Sequence, residues 1–394
     1  MANNIGPDLL SPALWSARVQ KLLKNSLCGA AICNTEERVG LKFGYRTHRP
    51  YTGDVYAQTY TKGVAPTFLN MNATDEYLDV DQAKIIPMYL DDIDEIQNKY
   101  KTMDIYSQRM TYQMRNQIDQ KIFSLVPNAL LGNTTPFTLD TTNVSAKYGQ
   151  AKADLFNNGC EDTIPWYAVA DADTISTIEE VRTFNGFKIS DDTLVNGYGL
   201  GAYLGDWKGL KMFKSQNLKT SVDIVWSADP ANPSTLIING VTFNFVTPIG
   251  SAAGNVLLNG AIDTTMAALV NAINNSATGL GTTWIQLSDA DRAKLASQGI
   301  AASYVDATNT LTITGFGKMT IAGTQATGTV GTQTMVMPVG QMGAIDLVVQ
   351  KDVSIEILRV TDGRRGYNIT AFDLYGVKMF REGAQRTYAM TVYK

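Results

Sequence analysis

The sequence predicts an α+β chain carrying a β-rich inserted domain, and three observations predict it. Residues 91–126, "DDIDEIQNKYKTMDIYSQRMTYQMRNQIDQKIFSLV", keep apolar side chains at 93, 96, 100, 103, 110, 114, 118, 122 and 125, the spacing of one helical face. Segments rich in Tyr, Thr and Val lie before and after it and read as strands. At about residue 222 the composition changes. Residues 222–338 hold six Asp, no Glu, two Lys and one Arg, so nine of the 70 charged residues fall in 117 positions while the other 277 hold 61. That segment is loaded with Gly, Ala, Thr and Asn, which marks it as a unit of its own.

The helix over 91–126 has acids in its first turn and Pro127 just past its end, both favourable to helix termini. At 1.5 Å per residue it would be about 54 Å long, long enough to brace an extended body. Upstream, "PALWSARVQKLLKNSL" places Leu14, Trp15, Val19, Leu22, Leu23 and Leu27 on one stripe behind Ser11 and Pro12. This predicts a short amphipathic helix that needs a packing partner. Within residues 40–90, "YRTHRPYTGDVYAQTYTKGVAPTFLN" is broken by Gly53, Gly63 and Pro66 and has little apolar density. It predicts two long strands joined by a polar turn, a projecting hairpin. "EYLDVDQAKIIPMYL" reads as one further strand ended by Pro87.

Residues 145–218 read as a mixed α/β unit: "IPWYAVAD" a buried strand, "DADTISTIEEVRTF" a helix capped by Asp173 or Thr174, and "GLKMFKS" a strand. In the inserted domain, "TLIINGVTFNFVTP", "DTTMAALVNAINN" and "IAASYVDATNTLTITGFG" predict strand, helix, strand, tight turn, strand. The last segment, "SIEILRVTDGRRGYNITAFDLYGVKMF", predicts alternating strands around a hairpin turn at "TDGRRG".

Composition narrows the function classes. A chain of 394 residues with 44% hydrophobic and 18% charged residues folds and can hold more than one domain. A net charge of −4 offers no clustered cations for sequence-specific or tight nucleic-acid binding. Three cysteines, Cys28, Cys33 and Cys160, are too few and too odd for a disulfide framework and read as reduced thiols. The apolar run "SLCGAAIC" after Lys21 and Lys24 is too short and starts too late for a secretion signal. No stretch approaches the roughly 20 apolar residues of a membrane helix, so the chain is expected in a cytoplasm.

Catalytic chemistry finds little to use. "GYGLGAYLGDWKG" has Gly199, Gly201 and Gly205 with the third glycine one place late, and a turn where a phosphate-binding helix should begin. The glycines of 197–209 are read instead as backbone-shaping. His48, the one histidine, sits between Arg46 and Arg49 with no acid or thiol at motif spacing. No zinc-type spacing exists, the acids of "DDIDE" suit a helix N-terminus, and Arg364 and Arg365 sit in a turn, solvated or in an intersubunit ion pair. No catalytic, cofactor-binding or metal-binding residues are assigned, no cofactor is expected, and the chain is not expected to be an enzyme.

In their order, "GDVYAQTY", "MYLDDIDEIQNKYKTMD", "RNQIDQKIF", "GLKMFKSQNL" and "YNITAFDLYGVKMFRE" resemble the major capsid (coat) protein family of tailed bacteriophages over about 280 residues, all but the insert. The resemblance implies an N-terminal arm (1–40), an E-loop hairpin (41–80), a peripheral domain (81–144) with a spine helix at 91–126, and the first part of an axial domain (145–221). The inserted β-rich domain (222–338) and closing peripheral and axial strands (339–394) follow. The insert is similar to small modules of flagellin and hook-associated proteins.

What the family implies is a self-assembling virion shell of hexamers and pentamers enclosing double-stranded DNA without sequence-specific binding. Assembly would occur in the host bacterial cytoplasm without a membrane, helped by scaffolding, portal and decoration proteins, and be followed by expansion. Intersubunit contacts are then expected at Trp15, Arg46, His48, Arg49, Tyr51, Tyr56, Tyr60, Lys62, Arg364 and Arg365. Some relatives weld neighbours through a Lys–Asn isopeptide bond; Lys62 sits in the right sort of hairpin, but the sequence shows no supporting acid. An encapsulin-like compartment shell and a flagellar or adhesive filament protein are the alternatives.

Overall fold

The computed structural model describes residues 27–36, 45–53, 55–68, 70, 73–93, 102–184, 203–324, 327–360 and 365–394. The amphipathic stretch at 12–27, the helix positions 94–101, most of the glycine-rich stretch and the turn at 361–364 fall outside them, apart from Leu27.

The long helix runs over Thr102–Leu125, about 36 Å of it at 1.5 Å per residue. Its Met110, Met114, Ile118 and Ile122 are buried at four-residue intervals and lie on a three-stranded antiparallel sheet. Strand Gly366–Lys378 is central in that sheet, between Asp346–Arg359 and Gln82–Asp91. In the central strand the inward positions Ile369, Ala371 and Tyr375 alternate with more accessible ones, the period-2 pattern of a half-buried strand. Pro87 does not end its strand. It pairs with Thr370 in mid-ladder, and the missing N–H is tolerated because this strand is at the sheet edge.

"EYLDVDQAKIIPMYL" is not one strand but parts of two. Its first residues close a two-stranded ribbon, Arg46–Thr52 against Ala73–Asp79, in register from Arg46 with Asp79 to Thr52 with Ala73. Its later residues, from Gln82, enter the three-stranded sheet. The ribbon strands are seven residues each, shorter than predicted. The described residues between them, 55–68, form no strand, since Gly53, Gly63 and Pro66 interrupt a stretch with no sheet to lie on.

The second unit is built on a ten-stranded sheet. Its strand Trp166–Ala170 is buried throughout, as a strand covered on both faces must be. Helix Val144–Asn157 turns Val144, Tyr148, Ala151 and Leu155 inward, and helix Ala172–Phe184 turns Ile175, Ile178 and Val181 inward. All belong to one apolar core with the sheet. The cap of the second helix is Asp171 rather than Asp173 or Thr174. Its Oδ1 accepts from the Thr174 amide at 3.3 Å and from Lys394 Nζ at 2.7 Å, so the carboxylate that caps the helix also ends an ion pair. Lys208 (φ 54°) and Gly209 (φ 74°) turn strand Tyr203–Trp207 into Leu210–Lys214. Two successive positive φ values are what a tight hairpin turn demands, and these two residues do shape backbone.

The segment after residue 222 has a core of its own, containing Trp226, Leu236, Phe243, Phe245, Met266, Leu269, Trp284, Leu311 and Ile313. It also shares a strand with the second unit. Lys219–Trp226 pairs along its length with Thr310–Phe316 and, near its start, with Thr334 and Met335. The hairpin Ser234–Ile238 and Val241–Val246 turns at Asn239–Gly240, and helix Ile262–Ile273 buries Met266, Leu269, Ala272 and Ile273. Helix Asp289–Ser297 was not anticipated. Only Leu295 of it is buried, so it has no apolar stripe to read, although Ser288 caps it by accepting from the Asp291 amide.

Candidate functional site

The ribbon carries most of the residues singled out from sequence. Arg46 grips Asp79 with two nitrogens, Nε to Oδ1 at 2.6 Å and Nη2 to Oδ2 at 3.0 Å, while its guanidinium lies 3.8 Å from the centre of the Tyr77 ring. That bidentate bond holds the Asp79 carboxyl below the usual carboxylate range. His48 Nδ1 is 2.7 Å from Asp75 on the facing strand, and both side chains are exposed. The ribbon therefore pairs both Arg46 and His48 with carboxylates of its own.

Arg49 instead leaves the ribbon. It donates to Asp346 Oδ2 at 3.3 Å and Glu382 Oε2 at 3.1 Å, with Phe380 beneath its guanidinium at 5.4 Å. Asp346 is buried and also accepts from Asn34 Nδ2 at 2.7 Å. Two further contacts fasten the same root: the Arg381 amide donates to Glu76 Oε2 at 3.0 Å, and the Arg381 guanidinium sits 4.7 Å from the Tyr51 ring centre. Asp346, Phe380, Arg381 and Glu382 are functional candidates that sequence reading missed. They lie about 300 positions from the ribbon, and no local pattern marks them.

Beyond the root the ribbon ends in an apolar tip. Tyr60 is 74% and Phe68 89% exposed, and Val55, Tyr56, Lys62 and Val64 are exposed with them. Tyr56, Tyr60 and Lys62 are among the intersubunit contacts the resemblance implies; Val55, Val64 and Phe68 are exposed beside them. Trp15 and Arg364 lie outside the described residues. Arg365 is placed apart from the ribbon, where its carbonyl accepts from Tyr89 Oη at 2.8 Å. A second apolar surface lies on the three-stranded sheet away from the helix, where Ile85, Pro87, Tyr89 and Leu358 are exposed. Scattered exposed apolar residues are ordinary, but contiguous ones mark contact surfaces.

Among the described residues nucleophiles and bases do not converge. Cys28 and Cys33 are closed off by burial, which pushes both thiols well up, so neither supplies a thiolate. Among the described residues no three His, Cys, Asp or Glu side chains could hold a metal ion. A groove of about 360 Å³ lies where the segment after residue 222 meets helix Ala172–Phe184. It is lined by Ser215, Gln216, Gln298 and Phe316 and crossed by the ion pair of Lys318 with Asp173 at 3.1 Å. Besides that ion pair, Gln298 Oε1 accepts from Asn239 and Ser215 Oγ from the Asn217 amide.

No family model matches the sequence, and no curated protein matches it either. Solved structures do. A structure described as Mycobacterium phage Che8 superimposes with a TM-score of 0.57 at 13% identity, covering 99% of this chain and 98% of its own. The head structure of Helicobacter pylori bacteriophage KHP40 gives 0.52 at 8% identity, covering 99% and 98%. The capsid structure of the Cyanophage P-SCSP1u gives 0.51 at 12% identity, covering 100% and 96%. This is a phage major capsid fold. In each case the likeness runs the length of both chains.

Proposed function

We propose that the chain is the major capsid protein of a tailed bacteriophage, a non-enzymatic subunit that self-assembles into the icosahedral shell enclosing a double-stranded DNA genome. In this reading residues 1–40 are the arm, 41–80 the E-loop and 81–144 the peripheral domain with its spine helix. Residues 145–221 open the axial domain, 222–338 are an inserted domain, and 339–394 close the peripheral and axial parts. Hexamers and pentamers would form in the host cytoplasm with scaffolding, portal and decoration proteins as partners.

The observation that carries the reading is the ribbon, fixed by directional polar contacts at its root and apolar at its tip. Burying the side chains of Val55, Tyr56, Tyr60, Val64 and Phe68 on a neighbour would contribute roughly 1.5–3 kcal/mol each before ordering costs. A tip that docks on a different patch of the next copy is a heterologous contact, and such contacts close into rings.

The test replaces those five tip residues with Ser. Folding, followed by circular dichroism, should be unchanged, while electron microscopy should show closed shells for the parent chain and none for the variant. Shells of normal size from the variant would refute the role of the tip. Filaments from the parent chain would refute the capsid reading, and shells found to hold a cargo enzyme rather than nucleic acid would favour an encapsulin-type compartment.

A further inference from the structure

Asp373 lies in the central strand of the three-stranded sheet, on the inward face shared by Ile369, Ala371 and Tyr375. Ile369 and Ala371 pack with Leu90, Met110 and Met114, whereas Tyr375 packs with Ile118, Ile122, Ile345 and Leu347. Asp373 falls in the interval between these two apolar clusters. Its exposure is 0%, and neither carboxylate oxygen has a well-formed hydrogen bond, the Lys84 main chain being its one polar neighbour within reach. An unpartnered buried polar group carries its full desolvation penalty, and a charged one carries more.

The backbone is irregular at the same level. On the neighbouring strand Ser354 faces Phe372 and Lys351 faces Leu374, so Asp352 and Val353 together stand opposite Asp373, one residue more than a regular ladder holds. Such a bulge disrupts pairing and bends its strand. A gap between apolar clusters, a break in the ladder and an unsatisfied carboxyl thus coincide.

We propose that Asp373 is a proton-controlled seam between the long helix and its sheet. With the carboxyl neutral the two apolar clusters close over it; with the carboxylate ionised the contact loosens there and the sandwich flexes.

The charged surroundings agree with this assignment. Lys84 faces Asp373 from the edge strand, and both its main chain and its charge favour the ionised form; Asp352 in the bulge opposes it. Tyr375 on the same strand stays a neutral phenol, pushed up by burial and by Asp373 itself. From the helix the buried side chains that face the sheet are Met114 and Ile118, which are uncharged. Of the helix's nearby charged residues, Arg115 is exposed, Lys121 half-buried, and Asp119 engaged by Cys28, Gly29 and Asn217. Burial dominates and pushes Asp373 up to about 6. A carboxyl raised above its unfolded value favours folding while protonated, so the favourable state is lost as pH rises from about 4 through about 6. The response belongs to a single chain and does not depend on the capsid reading.

Amide hydrogen exchange of the full chain between pH 4 and 7.5, corrected for intrinsic base catalysis, tests the seam. In peptides from 366–378 the opening equilibrium should rise about 100-fold with pH, the factor for a displacement of about two pH decades. Asp373→Asn should abolish the rise. Peptides from 27–36 report Asp119 and should respond identically in both proteins. Should Asp373→Asn fail to fold, Lys84→Met in the otherwise unaltered chain must move the midpoint upward and Asp352→Asn downward. A flat profile in the parent chain, an unchanged rise in Asp373→Asn, or a midpoint indifferent to Lys84→Met would overturn the proposal.

Discussion

Asn217→Ala probes the polar knot that ties two other parts of the chain to the long helix. Asn217 Nδ2 donates to Asn116 Oδ1 and to Asp119 Oδ2, both at 2.8 Å. The other Asp119 oxygen accepts from the amides of Cys28 at 3.1 Å and Gly29 at 2.5 Å. All of these polar side chains are buried. Burial pushes Asp119 up to about 6, and the bond from Asn217 is the largest influence holding it down. At pH 7 the substitution removes a charge-assisted bond, about 1.5–3 kcal/mol, and a neutral one, about 1 kcal/mol. A loss of about 3 kcal/mol is expected, roughly 6–12 °C in Tm.

At pH 5 Asp119 is largely protonated, the bond becomes an ordinary one, and the loss should shrink to about 2 kcal/mol. The direction follows from linkage. The Asp119 carboxyl already titrates above its unfolded value, and removing a group that favours the ionised form raises it further. The variant must therefore lose more stability than the parent as pH rises through about 6. Asp373 titrates in both proteins and cancels in the difference. Thermal or urea unfolding at pH 5 and pH 7 measures it, and equal losses at the two pH values would refute the reasoning.

The root of the ribbon gives a second expectation: Arg49→Ala leaves the buried Asp346 with Asn34 but without its cation. Exchange of peptides 46–52 and 73–79 should accelerate while the global loss stays near 1–2 kcal/mol, because Arg49 is partly solvated. Phe243→Ala in the core of the segment after residue 222 should cost about 3–5 kcal/mol. Since Phe243 belongs to a separate core, calorimetry should show one transition moving and another holding. Gly383→Ala should destabilise by about 1–3 kcal/mol, because a Cβ there would overlap the Ala344 carbonyl oxygen; an unchanged Tm would count against that packing.

What was legible in the sequence is what repeats locally. Methionines and isoleucines every four residues announce the long helix, and the scarcity of charge after residue 222 announces a segment with its own core. Where an edge or a neighbour decides, local pattern misleads. Pro87 looks like a terminator until the strand is seen to lie at a sheet edge, and helix Asp289–Ser297 is hidden because one leucine does not make a stripe. The tyrosines of the tip were legible as poorly satisfied aromatics, but the anchoring of Arg49 was not, since Asp346 and Glu382 lie 297 and 333 positions away. Asp373 did leave a trace: in "NITAFDLYG" it is the polar residue at an inward step. Alternation alone cannot say whether such a residue finds a partner.

The division of labour along the ribbon has a physical logic. Before any neighbour arrives, the root must hold a direction, and only directional contacts can do so: the fork of Arg49 on two carboxylates, the Arg381 amide on Glu76, the bidentate grip of Arg46 on Asp79. The tip needs the opposite property. A contact found by collision is best made by apolar surface, which is indifferent to small errors of angle and strengthens as water leaves. Were the polarity reversed, an apolar root would let the ribbon swing, and every docking event would carry the entropy of stopping it. A charged tip would meet the next copy only through pairs that salt screens. In the proposed shell, a stiff polar root bearing an apolar tip would remove the ordering cost in advance and leave the burial of Tyr60 and Phe68 to drive association.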